Sequence, residues 1–145
     1  MRKLTLMLIL ALSACATVGA RRSMAIAQFQ AVFLKQYIND HEDKEFAKFV
    51  KTKVRCHICH KGKVTPKNVH HNVYGKPLVE LLDPHEDKKD VDKIKAAIEK
   101  VGKMHSDPKD DKSPTFAELI AKGELPGGDL EEAKKEPTEE EKAPE

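Results

Sequence analysis

An all-α fold is predicted by three features of this sequence. Apolar residues recur at intervals of three or four through residues 24–38 and 91–101, which is the repeat of one helix face. Thr115 and Glu118 have the spacing of a capping box, in which each side chain bonds the other residue's backbone where a helix begins. No segment alternates apolar and polar residues with the period of two that a strand shows. The sequence therefore predicts a helical domain without a sheet.

The first predicted helices lead towards two closely spaced cysteines. Within residues 24–38, Phe29, Phe33 and Tyr37 are four residues apart and form one apolar stripe. A second helix is predicted over residues 43–52, which ends just before the cysteines. After the cysteines, residues 61–74 contain Gly, Pro and Asn without a clear period, so a loop is predicted there.

The second half of the chain is predicted to hold three more helices. Pro77 suits the first turn of a short helix. Either Asp87 or Asp90 is expected to cap the clearest helix, over residues 91–101, because both precede its apolar repeat. The last predicted helix begins at the capping box and is ended by Gly123.

Both ends of the chain are predicted to lie outside the folded domain. Residues 1–20 have a basic start, an apolar run and then small residues, which is the layout of an export signal peptide. Two cleavage sites fit these residues: one after Ala20, and a lipobox site before Cys15 that would lipidate this cysteine. Residues 127–145 contain 8 acidic and 3 basic residues and are predicted to be a disordered acidic tail.

The domain between these ends, residues 21–126, is small and poor in large apolar side chains. The whole chain has 145 residues, of which 34% are charged and 5% aromatic, and it has no Trp. Since a domain of about 100 residues builds only a modest core, this composition favours a bound group that helps to fill it. Three cysteines are too few for a disulfide-rich scaffold or a four-cysteine zinc site.

The residues that carry chemistry lie at positions 56–60, with the sequence Cys-His-Ile-Cys-His. Cys-x-x-Cys-His is the signature of covalent c-type haem attachment. Two thiols at this spacing add to the two vinyl groups at one porphyrin edge, and the next imidazole reaches the iron. Cys56 and Cys59 are therefore predicted to tether haem c, and His60 to be its proximal ligand. A thioredoxin-like redox pair would need a preceding strand, and a zinc site would need further cysteines or a suitably spaced histidine pair.

Around these residues the chain resembles the c-type cytochromes. The likeness covers about residues 48–125: a helix rich in Phe and Lys, the motif, a loop, further helices and a downstream Met. The sequence Asn-Val-Tyr-Gly-Lys at 72–76 also looks like a group of small exported single-haem proteins. The resemblance implies a cytochrome c-like helical domain around one covalently attached haem, with residues 24–38 as an extra N-terminal helix.

The same resemblance implies a second axial ligand, which is usually Met and sometimes His. Met104 follows the strongest amphipathic helix and is the predicted distal iron ligand. His70 and His71, in the loop after the motif, are the alternatives. If no side chain binds there, the iron is five-coordinate and open to small gases or peroxide.

Charge and export define the expected partners. Basic residues surround the motif, and no acidic residue lies between Lys48 and Lys67. Such a surface would steer redox partner proteins that have acidic docking surfaces. Nucleic acid is not an expected partner, because the chain has no net charge once Arg2 and Lys3 are removed and its lysines are not interleaved with aromatic residues. A membrane is an expected partner only if Cys15 is lipidated.

The sequence therefore predicts an electron carrier rather than an enzyme, exported to the periplasm or attached to the cell envelope. It would transfer single electrons through one covalently bound haem c. Two alternatives stay open. One is a five-coordinate haem sensor or gas-binding protein. The other is an accessory haem subunit of a larger redox complex, which would dock through the stripe of Phe29, Phe33 and Tyr37.

Overall fold

The structure, a computed structural model, describes residues 27–63 and 70–139 of the chain. These ranges are mostly helical and form no β-sheet among them, so the all-α prediction is confirmed. In chain order the α-helices are α1 Ala27–Phe33, α2 Lys44–Phe49, α3 Gly75–Leu81, α4 Val91–Gly102, α5 Phe116–Ala121 and α6 Leu130–Lys134. Other helical turns are the π-helical Leu34–Ile38 and Val50–Val54 and the 3₁₀ turns Arg55–Ile58 and Asp87–Lys89. The predicted signal peptide, including Cys15, lies outside the described residues.

Two of these helices have the N-terminal caps that the sequence predicts, each formed by a short polar side chain. Asp90, rather than Asp87, caps α4, and its carboxylate accepts a hydrogen bond from the backbone N–H of Lys93 at 2.9 Å. Thr115 and Glu118 form the predicted capping box at the start of α5. These caps satisfy backbone N–H groups that have no partner within the helix.

α4 lies at the centre of the core, where α1 and α3 both pack against it. Its buried face follows the predicted apolar spacing except at Val91, at the start of the helix, which is 46% exposed. The residues of this face are Ile94, Ile98 and Val101, each at most 2% exposed. Beside it, the buried ring of Tyr74 meets the rings of Phe33 at 5.7 Å and Phe116 at 5.2 Å, both edge-on. Tyr74 thus joins the N-terminal helix and α5 to one apolar core.

The C-terminal segment is ordered over the part that the structure describes, so the prediction of a disordered tail is wrong for residues 127–139. Leu130 and Ala133, three residues apart on α6, are only 7% and 5% exposed. The backbone carbonyl of Ala133 accepts a hydrogen bond from the N–H of Gly62 at 2.7 Å. The acidic composition concealed this short apolar pair, which is enough to bury one helix face beside the cysteine motif. Residues 140–145 lie outside the described residues.

Candidate functional site

A cavity of about 960 Å³ brings the predicted attachment residues together. Cys56, Cys59 and His60 all line it. Its volume is near the top of the range of about 300–1,000 Å³ that small-molecule and cofactor pockets occupy. Apolar side chains from α1, α3 and α4 and the residue after α3 form much of the remaining wall: Phe29, Phe33, Leu78, Val79, Leu81, Leu82 and Ile98. The cavity therefore offers the thiols of Cys56 and Cys59 and the imidazole of His60 to a large, mainly apolar group.

The cysteine motif is folded as a tight turn at the end of the second π-helical segment. Arg55, just before it, has a φ of +48° and is the one non-glycine residue with positive φ in the described ranges. The backbone N–H groups of Cys59 and His60 both donate to the carbonyl oxygen of Cys56, at 3.2 and 3.0 Å. This turn brings both cysteines and the histidine to the same cavity.

The ring of His60 is oriented by a backbone carbonyl in the loop that follows. Its Nδ1 atom lies 3.2 Å from the carbonyl oxygen of His70. A carbonyl oxygen can only accept, so Nδ1 carries the proton. Burial is the largest cause that lowers the pKa of His60, which keeps the ring neutral at pH 7. The lone pair is then on Nε2, and this is the arrangement that metal-binding histidines usually show.

The Cys59 thiol is held in its neutral form. Burial, followed by the influence of Cys56, raises the pKa of Cys59 to about 12. Disulfide exchange and zinc binding both require a thiolate and therefore favour a lowered thiol pKa. The two cysteines are free rather than joined in a disulfide. This environment argues against a thioredoxin-like pair.

The loop after the motif brings His71, and not the side chain of His70, into the cavity wall. His71 pairs with His60 in an antiparallel β-bridge, and the two rings are 4.7 Å apart. Rings at this separation are in direct contact, so a porphyrin plane does not fit between them. Burial lowers the pKa of His71 to about 4. His71 is therefore a neutral neighbour of His60, and this placement does not support either loop histidine as the distal ligand.

Met104 does not line the cavity. It lies in the turn after α4, where its N–H donates to the carbonyl of Val101 at 2.9 Å and its carbonyl accepts from Phe116 at 3.0 Å. These two bonds fix the turn at the surface, and Met104 is 42% exposed. The prediction of Met104 as the distal iron ligand is therefore not supported.

His85 also lines the cavity, although its polar neighbours in the sequence indicate a solvated side chain rather than a site residue. It belongs to a segment that we call the acidic wall, residues 80–87, because Glu80, Asp83, Glu86 and Asp87 also line the cavity. The Asp83 carboxylate accepts from the N–H groups of His85 at 2.7 Å and Glu86 at 3.0 Å. The only signal for this residue in the sequence was its position in an Asp-Pro-His turn, which is typical of a solvated loop.

Two cations also line the cavity, Arg55 and Lys93. Lys93 lies 2.7 Å from both carboxylate oxygens of Asp87. This bond is the largest cause that lowers the pKa of Asp87 and raises the pKa of Lys93. Arg55 is exposed and forms no ion pair with any described residue. Of these two cations, Arg55 is thus the one available to a negatively charged group in the cavity.

A basic surface leads along the chain into the motif. We use this name for the exposed residues Lys48, Phe49, Lys51, Lys53 and Arg55. Phe49 is 39% exposed, so an apolar ring lies among the cationic side chains. None of its four cations forms an ion pair within the described ranges.

No protein-family model, curated protein or solved structure matches this chain. In the part of the chain that the structure describes, no three or more His, Cys, Asp or Glu side chains form a group that could hold a bare metal ion. The helices of the described ranges also include none that is both long and apolar enough to cross a membrane.

Proposed function

We propose that this protein is a single-haem c-type cytochrome that transfers single electrons outside the cytoplasm. The observation that carries the proposal is that Cys56, Cys59 and His60 line one mainly apolar cavity of about 960 Å³. Haem c supplies reversible one-electron chemistry at its iron when it is bound. The chain supplies the tethers, an axial ligand and exclusion of water.

Cys56 and Cys59 are the residues that would hold the group covalently. Each thiol would add across one vinyl group. The sulfur would form a bond to one vinyl carbon and the thiol hydrogen would be added to the other, so that no atom leaves. His60 would bind iron through Nε2, because Nδ1 already donates to the carbonyl of His70. The apolar side chains of α1, α3 and α4 would cover the ring and keep water from the iron.

Arg55 would bind the carboxylates of the group. It lines the cavity next to the first tether, and it has no carboxylate partner among the described residues. Lys93 is less suited to this role, because Asp87 already occupies its ammonium group. Arginine is also the cation that bonds a carboxylate through two parallel hydrogen bonds.

The distal ligand separates this function from a second candidate. His85 would be the second histidine available to the iron, since it lines the cavity and lies outside the loop that contacts His60. Two axial histidines suit electron transfer at a low reduction potential. If His85 does not bind, the surface position of Met104 favours a five-coordinate haem that binds small gases.

The accessory-subunit alternative loses its main support. Phe33 is buried in the core, and Tyr37 packs against its ring at 5.5 Å. Phe29 lines the cavity. The stripe of Phe29, Phe33 and Tyr37 is thus used within the chain and is not a free docking face. The basic surface remains the proposed site for an acidic redox partner, with Phe49 as its apolar contact.

The test is to produce the full chain with the machinery that attaches haem to exported proteins. We expect a pyridine haemochrome spectrum of the thioether type and reversible reduction of the purified protein. Absence of covalent haem in the folded chain would overturn the proposal. Carbon monoxide binding by the reduced protein at neutral pH would instead support the gas-binding candidate. The predicted export is tested separately, by fractionating cells and determining the N-terminal residue of the mature chain.

A further inference from the structure

Asn72 is a buried polar residue that lies beside the cysteine motif but does not line the cavity. It is only 6% exposed, and both ends of its side-chain amide are fully used. Its Nδ2 donates to the carbonyl of His57 at 3.0 Å and to that of Ile58 at 3.1 Å. Its Oδ1 accepts from the N–H groups of Tyr74 at 3.1 Å and Gly75 at 2.9 Å. One amide therefore joins the residues between the two cysteines to the start of α3.

The backbone of Asn72 adds a third bond to the same turn. Its N–H donates to the carbonyl of Cys59 at 3.0 Å. Three consecutive carbonyls of the motif, at residues 57–59, are thus held by this one residue. Carbonyls at the end of a short helical turn have no partner within the turn, and a buried carbonyl that loses its donor is costly. Asn72 removes this cost at the peptide that leads directly to His60.

Two glycines allow this close packing. A Cβ on Gly127 would lie 2.0 Å from Nδ2 of Asn72, and a Cβ on Gly75 would lie 2.0 Å from the carbonyl oxygen of Cys59. The C-terminal segment therefore closes over the amide from one side, while α3 reaches the motif from the other. The amide is thus enclosed by two backbone segments that approach closely because residues 75 and 127 have no side chain.

We propose that Asn72 is a positioning residue for the proximal side of the haem: its Nδ2 donor fixes the turn between the two tethers and so holds His60 in one orientation. This inference rests on the proposed haem function. The Oδ1 acceptor has a different role, because it holds the N–H groups of Tyr74 and Gly75 at the start of α3. The two halves of the amide can therefore be separated by experiment.

The decisive variant is Asn72→Asp in the protein that carries its covalent haem. A carboxylate keeps an acceptor for Tyr74 and Gly75, and Asp caps helices about as well as Asn. It replaces the donor with an oxygen that faces the carbonyls of His57 and Ile58. Native-state hydrogen exchange near neutral pH then reports on the two halves of the amide separately.

We expect the amides of Cys59 and His60 to exchange at least tenfold faster in the variant, while those of Tyr74 and Gly75 stay within about twofold of the native rates. We also expect the paramagnetically shifted haem methyl signals of the ferric protein, one set in the native chain, to split into several sets. Thr115→Ala is the matched control, because it removes a helix cap in α5, and this loss lowers overall stability without touching the motif. The control should retain one set of methyl signals.

If Asn72→Asp does not fold, Gly127→Ala displaces the same amide from the other side and should also give several sets of methyl signals. Native exchange rates together with a single set of signals in whichever variant folds would overturn the positioning role and leave the proposed function intact. A native chain that takes up no covalent haem overturns both proposals, and the haemochrome spectrum identifies that case first.

Discussion

The two sides of the cavity are held in different ways. The cysteine motif is tied by hydrogen bonds from Asn72 and to the carbonyl of His70, and the C-terminal segment bonds the adjoining Gly62. The acidic wall is a turn held mainly by its own carboxylates. Asp83 accepts from the N–H groups of His85 and Glu86, and Asp87 accepts from Lys93 and from the N–H of Asp83. Its one imidazole, on His85, is exposed.

This difference indicates that the cysteine motif is the part of the site with a fixed geometry. The proposed covalent attachment and proximal ligation would require three side chains at set positions, and hydrogen bonds hold the turn that carries them. The distal position requires only one side chain that can reach the iron. Under the proposed function, whether the exposed His85 on this wall binds would decide between electron transfer and gas binding.

The largest effect is expected from removing both tethers. The double variant Cys56→Ala with Cys59→Ala should carry no covalent haem and be largely unfolded by circular dichroism, because the lean core would then surround an unfilled cavity of about 960 Å³. His57→Ala, within the same five residues, is the matched control and should retain its haem. A cooperatively folded chain with both cysteines replaced would contradict this prediction.

The next largest effect concerns the distal ligand. In the haem-loaded protein, His85→Ala should convert the ferric iron from low spin to high spin and open the reduced protein to carbon monoxide. Met104→Ala should leave the optical spectrum unchanged, because Met104 is at the surface outside the cavity. A spectral change in Met104→Ala with none in His85→Ala would reverse this assignment.

The sequence could predict those parts of the site whose pattern lies within a few consecutive residues. The motif lies within five consecutive residues, and α4 repeats its apolar positions over three turns, so both could be predicted from the chain alone. His85 reaches the cavity through the packing of α3 and α4, which no local pattern contains. Met104 has the expected sequence distance from His60, but two backbone bonds keep its turn at the surface.

The prediction of disorder for the C-terminal segment was wrong for a related reason. Its acidic composition is typical of disorder. Leu130 and Ala133 are buried only because the folded motif provides a surface for them to pack on. Asn72 was part of a recognised sequence pattern, yet its contacts with residues 57 and 58 depend on how the loop returns. In both cases the missing information was a contact between distant parts of the chain.

A moderate effect is expected from Leu130→Ala, which removes packing on the motif side. We expect a loss of about 2 kcal/mol in the free energy of unfolding, the low end for a buried Leu at this end of the chain. Urea unfolding measures this loss, and the amide of Gly62 should exchange faster because it bonds Ala133. Glu131→Ala, on the exposed part of the same helix, is the control and should change stability by no more than about 0.5 kcal/mol. Equal effects of the two substitutions would show that α6 does not support the motif.

The smallest effect is expected from Asp87→Asn, which loosens the acidic wall. The hydrogen bond from Lys93 lowers the pKa of Asp87 below its ordinary value. A carboxylate with a lowered pKa stabilises the fold above its unfolded-state pKa of about 4, and this contribution disappears as the pH falls through the folded-state pKa. The native chain should therefore be slightly more stable than Asp87→Asn in urea at pH 7, and the difference should shrink steadily below about pH 4. Because other groups titrate equally in both proteins, the difference isolates Asp87. A difference that stays constant down to pH 2 would mean that the ion pair does not hold this wall, and that the Asp83 turn does so alone.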